Sequence, residues 1–299
     1  MSGFAEQPIM QMLPDGRRLH LRNGPIDLII EAVGAAREVE AAYDQACAVF
    51  PGILGGLAGE LPILRAPVSA AMPAASGPVA LRMQQAALRH AGDRAFLTPM
   101  ICVAGAVADH LLAAMCAGRD LRRASVNNGG DIALYLAEGE CVEIGICANP
   151  QTGEMAGRAR VACADQIGGI ATSGWRGRSH SLGIADAVTV LARTAAEADA
   201  AATLIANAID LPGHPAVART PAQELSPDSD LGPRPVTRHV GFLTETEIKM
   251  ALHTGQDYSK ALIADHRIAA VYGYLQGHAF ALNTKPAVVA DPLEKTVYA

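Results

Sequence analysis

Three short strings in this chain combine residue types that can do chemistry. The first, Asn127-Asn128-Gly129-Gly130-Asp131, stands directly before an alternating apolar run. Two glycines let backbone N–H groups approach a ligand with no Cβ in the way, and Asn128 and Asp131 add short polar arms. A tight turn entering a strand has the same composition. The second, Thr172-Ser173-Gly174-Trp175, is followed closely by Arg176, Arg178, Ser179 and His180. Hydroxyls, a glycine, two arginines and a histidine suit a phosphate or the polar edge of a ring, and Trp175, the only tryptophan, could cover a planar ligand. A surface loop with incidental basic residues would read the same way. The third pairs Asp199 with Thr203, which on a helix fall one turn apart on one face. A carboxylate and a hydroxyl so placed make a hard oxygen site suited to Mg²⁺, completed by water or by a ligand's phosphates. The plain alternative is a solvated aspartate beside a threonine bonded back to its own helix.

Elements must position these strings. Pro14-Asp15-Gly16 and Asn23-Gly24-Pro25 predict turns around a hairpin over residues 13–31. Val39, Tyr43 and Cys47 predict a helix over residues 34–50, after which the Pro- and Gly-rich stretch 51–78 reads as a long connection. Further helices are expected over residues 79–91 and from Pro99 to about Met115. Ser125 to Asp131 reads as a turn-rich loop, then Ile132–Leu136 and Val142–Ile146 as a strand pair turning at Glu138-Gly139-Glu140. Val161, Ile170 and Val188–Leu191 suggest strands, and Ala195–Ile209 an Ala-rich helix with Thr194 as N-cap. Residues 211–238, with six prolines, read as a linker or lid, followed by short helices over Thr246–Leu252 and Tyr258–Asp265 and a last hairpin across Gln276-Gly277.

Bulk composition narrows the function classes. Half of the 299 residues are apolar and 18% are charged, which argues against disorder. The net charge of −6 and the lack of a basic stripe exclude nucleic acid as an expected partner. The six cysteines form no C-x-x-C or zinc spacing and sit mostly in apolar runs, so they read as reduced core residues of a cytoplasmic protein. Met1 to Met12 carries neither the basic nor the apolar region of a leader. The apolar stretch Phe96–Gly118 is interrupted by Asp109 and His110 and reads as a buried core helix, not a membrane span.

In order and spacing the strings resemble the ApbE-like superfamily, the fold of the FAD:protein FMN transferases. That family carries G-G-D, A-T-S-G and T-V segments and then a helix with A-D-x-x-x-T. Here these are Gly129-Gly130-Asp131, Ala171–Gly174, Thr189-Val190 and Ala198-Asp199…Thr203. A narrower prokaryotic branch is more similar still, through Asn128–Ile132, Gly169–Gly174, His180–Val190, Pro99–Ala106 and Ser229-Asp230-Leu231-Gly232. The resemblance implies an α+β fold of antiparallel sheets backed by helices and related to the T-fold. It implies a flavin- or nucleotide-binding core over residues 1–210 with a C-terminal extension over 211–299 packed on it, and a homo-oligomer. It further implies FAD (or FMN) as the cofactor, with Asp199 and Thr203 as Mg²⁺ ligands against the pyrophosphate of FAD. Asn128, Gly129, Gly130, Thr172, Ser173, Gly174 and Trp175 would hold the flavin, and His180 and Asp131 would serve the chemistry, histidine being the side chain that changes charge near neutrality. Two departures bear on transfer to an acceptor protein, which the sequence does not identify. The family's H-I-I-D-P-x-T-G segment is shortened here to Ser179–Asp186, and its A-K-G is replaced by Val103-Ala104-Gly105, without the lysine. The rival expectations are a flavin carrier without chemistry and a T-fold-type binder or enzyme for a pterin or purine-like ring.

Overall fold

Alternation of apolar and polar residues builds the first strands. The computed structural model describes residues 7–92, 96–149 and 152–283. The leader expectation for Met1 to Met12 therefore falls partly outside the described residues, as does the end of the C-terminal extension, 284–299. In chain order the strands β1 (Ile9–Met12), β2 (Leu19–Asn23) and β3 (Ile26–Gly34) lead to the helices α1 (Ala36–Gly59), α2 (Leu61–Leu64) and α3 (Pro78–Leu88). A 3₁₀ turn at Pro99–Cys102 opens α4 (Val103–Cys116). Then come β4 (Leu121–Asn128), β5 (Asp131–Leu136), β6 (Cys141–Asn149), β7 (Glu154–Ala162), β8 (Gly169–Ser173), β9 (Ala187–Ala192) and α5 (Ala195–Ala208). The chain continues through β10 (Val217–Pro221), α6 (Ala222–Leu225), β11 (Pro235–Val240), α7 (Glu245–Ala264), β12 (Ala270–Leu275) and β13 (His278–Asn283). It divides into two units. The first comprises the chain to Cys141 with Ala162–Ala171 and Arg193–Ala200; the second takes Val142–Val161, Thr172–Ala192 and everything from Ala201.

In the first unit the strands lie in the order β1-β2-β3-β4-β5-β8, and the paired neighbours run antiparallel. Leu21, Leu28, Ile30 and Val126 are fully buried on one face, in register as Leu21↔Leu28 and Ile30↔Val126. The core they form is completed by α1 and α4, with Phe50, Leu111 and Met115 inaccessible to solvent. The stretch Pro99–Cys116 is long and apolar enough to cross a membrane by length and composition, with half of it buried inside the fold. As expected, α4 packs its side chains into this core.

Several elements differ from their sequence expectation. The connection expected from residue 51 is helix: α1 runs through Pro51 to Gly59. A proline inside a helix costs about 3 kcal/mol. Burial of Ile53 and Leu57, which continue the stripe of Ala42, Ala46 and Phe50, offsets this at about 1.5–3 kcal/mol each. Ser125–Asn128 is strand, not loop, because its alternating side chains fit between β3 and β5. Only Gly129 and Gly130 turn, with φ of 66° and 117°, between the paired residues Asn128 and Asp131. A two-residue hairpin turn with both φ positive needs such residues. The expected pairing of Ile132–Leu136 with Val142–Ile146 does not form. The ladder groups of β5 are taken by β4 and β8, with the Leu134 N–H donating to the Gly168 carbonyl at 2.8 Å, and β6 pairs with β7 instead.

In the second unit β9, β12 and β13 lie side by side and antiparallel, and all six residues of β9 are buried. The expected hairpin across Gln276-Gly277 is present, its turn residues at φ of 43° and 84°. Residues 211–238 are not a bare linker. They hold β10 and most of β11, which pair with each other, prolines 221 and 235 closing the ladder at its end. Proline tolerates a strand terminus, where no ladder donor is required. The two short helices expected after residue 245 are one, α7, started by a capping box of Thr244 and Glu247. Gly255 does not break it, because close packing needs a small residue there: a Cβ would stand 2.2 Å from Cγ1 of Ile209.

Candidate functional site

The expected site residues fall in both units. In the first, two helix N-termini cap one another. Asp109, on α4, accepts N–H donation from Ala195 and Ala196 at the start of α5, both at 2.9 Å. Asp199, on α5, accepts the N–H of Gly105 at the start of α4, at 3.0 Å. Each carboxylate thus satisfies donors that a helix start leaves unpaired and meets the positive end of the other helix dipole. The helices approach so closely that a Cβ on Gly105 would lie 2.3 Å from the Ala195 carbonyl oxygen. Thr194 supplies the expected N-cap of α5, accepting the Glu197 N–H at 3.2 Å.

The glycine string closes on this point. The Asn128 side chain donates to the Ala104 carbonyl at 3.0 Å, and the Asn127 side chain accepts the Gly130 N–H at 2.9 Å. Burial first, and then the negative charge of Asp131, hold the Asp199 carboxyl well above the usual carboxylate range, against the pull of the Gly105 N–H. Burial also raises Asp109 to about 6, with the two α5 N–H groups opposing it. The Cys102 thiol is pushed well up by burial and then by the charges of Asp199, Asp109 and Asp131. Asp109, which interrupts an otherwise apolar stretch, is the functional-looking residue that sequence reasoning passed over. A charge in the middle of a buried helix was the available signal.

In the second unit the threonine–serine string is a set of paired hydroxyls. Thr172 shares a hydrogen bond with Thr189 at 2.9 Å, and Thr203 donates to Ser173 at 3.3 Å. Gly174 is needed for space, since a Cβ there would lie 2.4 Å from the Asp186 carbonyl. Trp175 donates its Nε1–H to Asp186 at 3.0 Å, and its ring meets His239 edge-on at 6.4 Å between centroids. His180 has Ser226 of the Pro-rich segment as its polar partner, at 3.4 Å. Thr203 stands one turn beyond Asp199 on the continuous helix α5.

Among the described residues no group of three or more His, Cys, Asp or Glu side chains could hold a metal. A Mg²⁺ site does not require one, because this ion keeps waters and ligand phosphates and takes one or two carboxylates from the protein. Within the first unit the donor chemistry fits such a cation in kind: a buried carboxylate, Asp199, with a second, Asp131, repelling it. A groove of about 110 Å³ lined by Ile53, Leu57, Glu60, Val79 and His110, among others, touches none of the expected site residues. The Glu60 carboxylate there is occupied by the N–H groups of Ser76 and Gly77.

A UPF0280 protein of Methanocaldococcus jannaschii is 40% identical over 119 residues, 40% of this chain and 47% of its own length. One from Methanothrix thermoacetophila is 38% identical over 121 residues, 40% of this chain and 49% of its own length. The matched segment thus spans about half the length of these relatives. Among solved structures, the apo form of Pseudomonas stutzeri flavinyl transferase ApbE aligns over 94% of this chain and 96% of its own, at 14% identity and a TM-score of 0.42. The family model described as AbpE bacteria matches residues 10–281, nearly the whole chain, and the protein belongs to that family.

Proposed function

We propose that the protein binds FAD with Mg²⁺ and acts at its pyrophosphate, by cleavage or by transfer of the FMN moiety. The observation that carries this reading is the buried Asp199 carboxylate set against Asp131. A buried carboxylate under the repulsion of a second one ionises comfortably only beside a cation. Their motifs, G-G-D and A-D-x-x-x-T, are two of the four through which the chain resembles the flavin transferases.

In this reading Asp199 and Thr203 would hold Mg²⁺. The ion would supply charge neutralisation at the phosphates and stabilise negative charge that develops as the P–O bond breaks. Asp131, the hydroxyls of Thr172 and Ser173, and the amides of Gly129 and Gly130 would orient the ligand. Trp175 and Gly174 would border its ring, and Asn128 would fix the start of α4 through the Ala104 carbonyl. His180 would take the proton of the attacking oxygen, from water or from an acceptor hydroxyl. The P–O bond to the AMP half then breaks, the FMN phosphoryl passes to that oxygen and AMP leaves.

A second reading, binding without chemistry, has its own support. The Gly105 N–H already gives Asp199 a structural use, and the chain lacks the lysine and the long histidine segment of the transferases. Titration calorimetry with FAD, FMN and a pterin, with and without Mg²⁺, tests the proposal. FAD is expected to bind, and more tightly with Mg²⁺. Heat from the pterin with none from FAD at any Mg²⁺ level would move the assignment to a pterin- or purine-type ligand. Release of AMP from bound FAD would separate enzyme from carrier.

A further inference from the structure

Asp186 is buried to 3% exposure and belongs to none of the three motif strings, yet three donors converge on it. Its Oδ1 accepts the Trp175 indole N–H at 3.0 Å and the Arg176 Nε–H at 2.6 Å, and its Oδ2 accepts the Gln276 backbone N–H at 2.7 Å. Its own N–H donates to the Tyr274 carbonyl at 3.0 Å, and the Trp175 N–H donates to the Ala185 carbonyl at 3.0 Å. Gln276 is anchored in turn, its side chain donating to the Gly241 carbonyl and accepting the Leu243 N–H. The aspartate therefore sits at the end of a fixed chain of bonds from the β12–β13 turn.

The consequence appears at Arg176 and Trp175. The guanidinium carbon lies 4.6 Å from the centre of the indole ring, a cation–π contact. Both polar edges of that pair are tied to the same carboxylate oxygen. Neither side chain can swing without breaking a charge-assisted or buried hydrogen bond. The Arg176 side chain nevertheless keeps 29% of its surface exposed. The contact with Asp186 is through Nε, which leaves the two terminal nitrogens of this partly exposed side chain without a bond to that carboxylate. A fixed guanidinium fork beside an indole suits a ligand with a planar ring and an oxyanion, the fork matching phosphate geometry.

We propose that Trp175 and Arg176 form a rigid platform for the phosphate-bearing part of a ring ligand, with Asp186 as the residue that positions both. This rests on the flavin reading above and adds to it the group that recognises phosphate and the group that holds it still. The platform discriminates by charge: it favours FMN over riboflavin, which has the same ring and no phosphate. An Asp186 without charge leaves Arg176 unanchored, and the advantage of the phosphate is lost.

The test measures dissociation constants of FMN and riboflavin for wild type, Arg176→Gln and Asp186→Asn. Because Trp175 is the only tryptophan, its emission and acrylamide quenching report the platform without any ligand. Arg176→Gln is expected to weaken FMN on the order of tenfold while riboflavin changes less than about twofold. Asp186→Asn is expected to give the same pattern and to make ligand-free Trp175 more accessible to acrylamide. Should Asp186→Asn fail to fold, Arg176→Gln, altered at a partly exposed side chain, decides the matter. Equal losses of FMN and riboflavin affinity in Arg176→Gln, with wild type binding both, would overturn the platform and leave the flavin reading standing. Wild type that binds neither FMN nor riboflavin overturns the platform, and only the further failure of FAD to bind, with and without Mg²⁺, overturns the flavin reading as well.

Discussion

Replacing Asp109 by Asn exposes how the crossed helix caps respond to pH. In the folded protein the Asp109 carboxyl titrates at about 6 instead of 3.8. The folded state therefore binds this proton more tightly than the unfolded chain does. Its contribution to stability is fully present below pH 3.8 and is lost as pH rises through about 6. At about 1.4 kcal/mol per pH unit, the rise amounts to about 3 kcal/mol between those limits. Asparagine removes the titration and keeps the shape. It sets one acceptor oxygen and an N–H₂ against the two α5 amides, much as the protonated carboxyl sets one acceptor oxygen and an O–H there. The variant is thus expected to lie close to wild type at pH 4, where the folded wild type is still protonated at this position. From pH 4 to 7.5 wild type is expected to lose about 2 kcal/mol relative to the variant, since the unfolded chain is already partly ionised at pH 4. Urea unfolding of both proteins at half-unit pH steps measures it, since other titrating groups cancel in the difference. A difference that stays flat from pH 4 to 7.5 would refute the account of Asp109 as a buried, charge-penalised cap.

Other perturbations read other parts of the structure. Gly105→Ala drives a Cβ against the Ala195 carbonyl at 2.3 Å, and a thermal melt should show a loss of about 1–3 kcal/mol or more, with a fully stable variant arguing against the close helix approach. Asp199→Ala is expected to abolish the effect of Mg²⁺ on FAD affinity; it should also cost about 1 kcal/mol as a lost cap on α4. Retained Mg²⁺ dependence in a folded Asp199→Ala protein would remove the metal assignment. All six cysteines are free, so thiol counting under denaturing, non-reducing conditions should return six, and a lower count in protein prepared without oxidant would contradict it.

The local patterns that span a few residues were legible in the sequence. Hairpins announced by Asn23-Gly24 and Gln276-Gly277, the helix behind Thr194 and the apolar stretch of α4 formed where composition and periodicity put them. These features are decided by steric limits at positive φ, by caps and by one-sided burial, all set within about ten residues. The motif order, likewise a property of sequence alone, carried the family. Tertiary structure decided the rest. Helix α1 continues through Pro51 and α7 through Gly255, because distant apolar partners outweigh local propensity. Strand β5 pairs with β4 and β8, not with its neighbour in sequence. Along the chain Asp109 stands out only as a break in an apolar stretch, and Asp186 only as the end of a shortened motif segment. Their meaning comes from residues 86 and 90 positions away, Ala195 and Gln276, and only folding brings those amides to them. A buried carboxylate must find its donors wherever the fold supplies them, and no local pattern records where that will be.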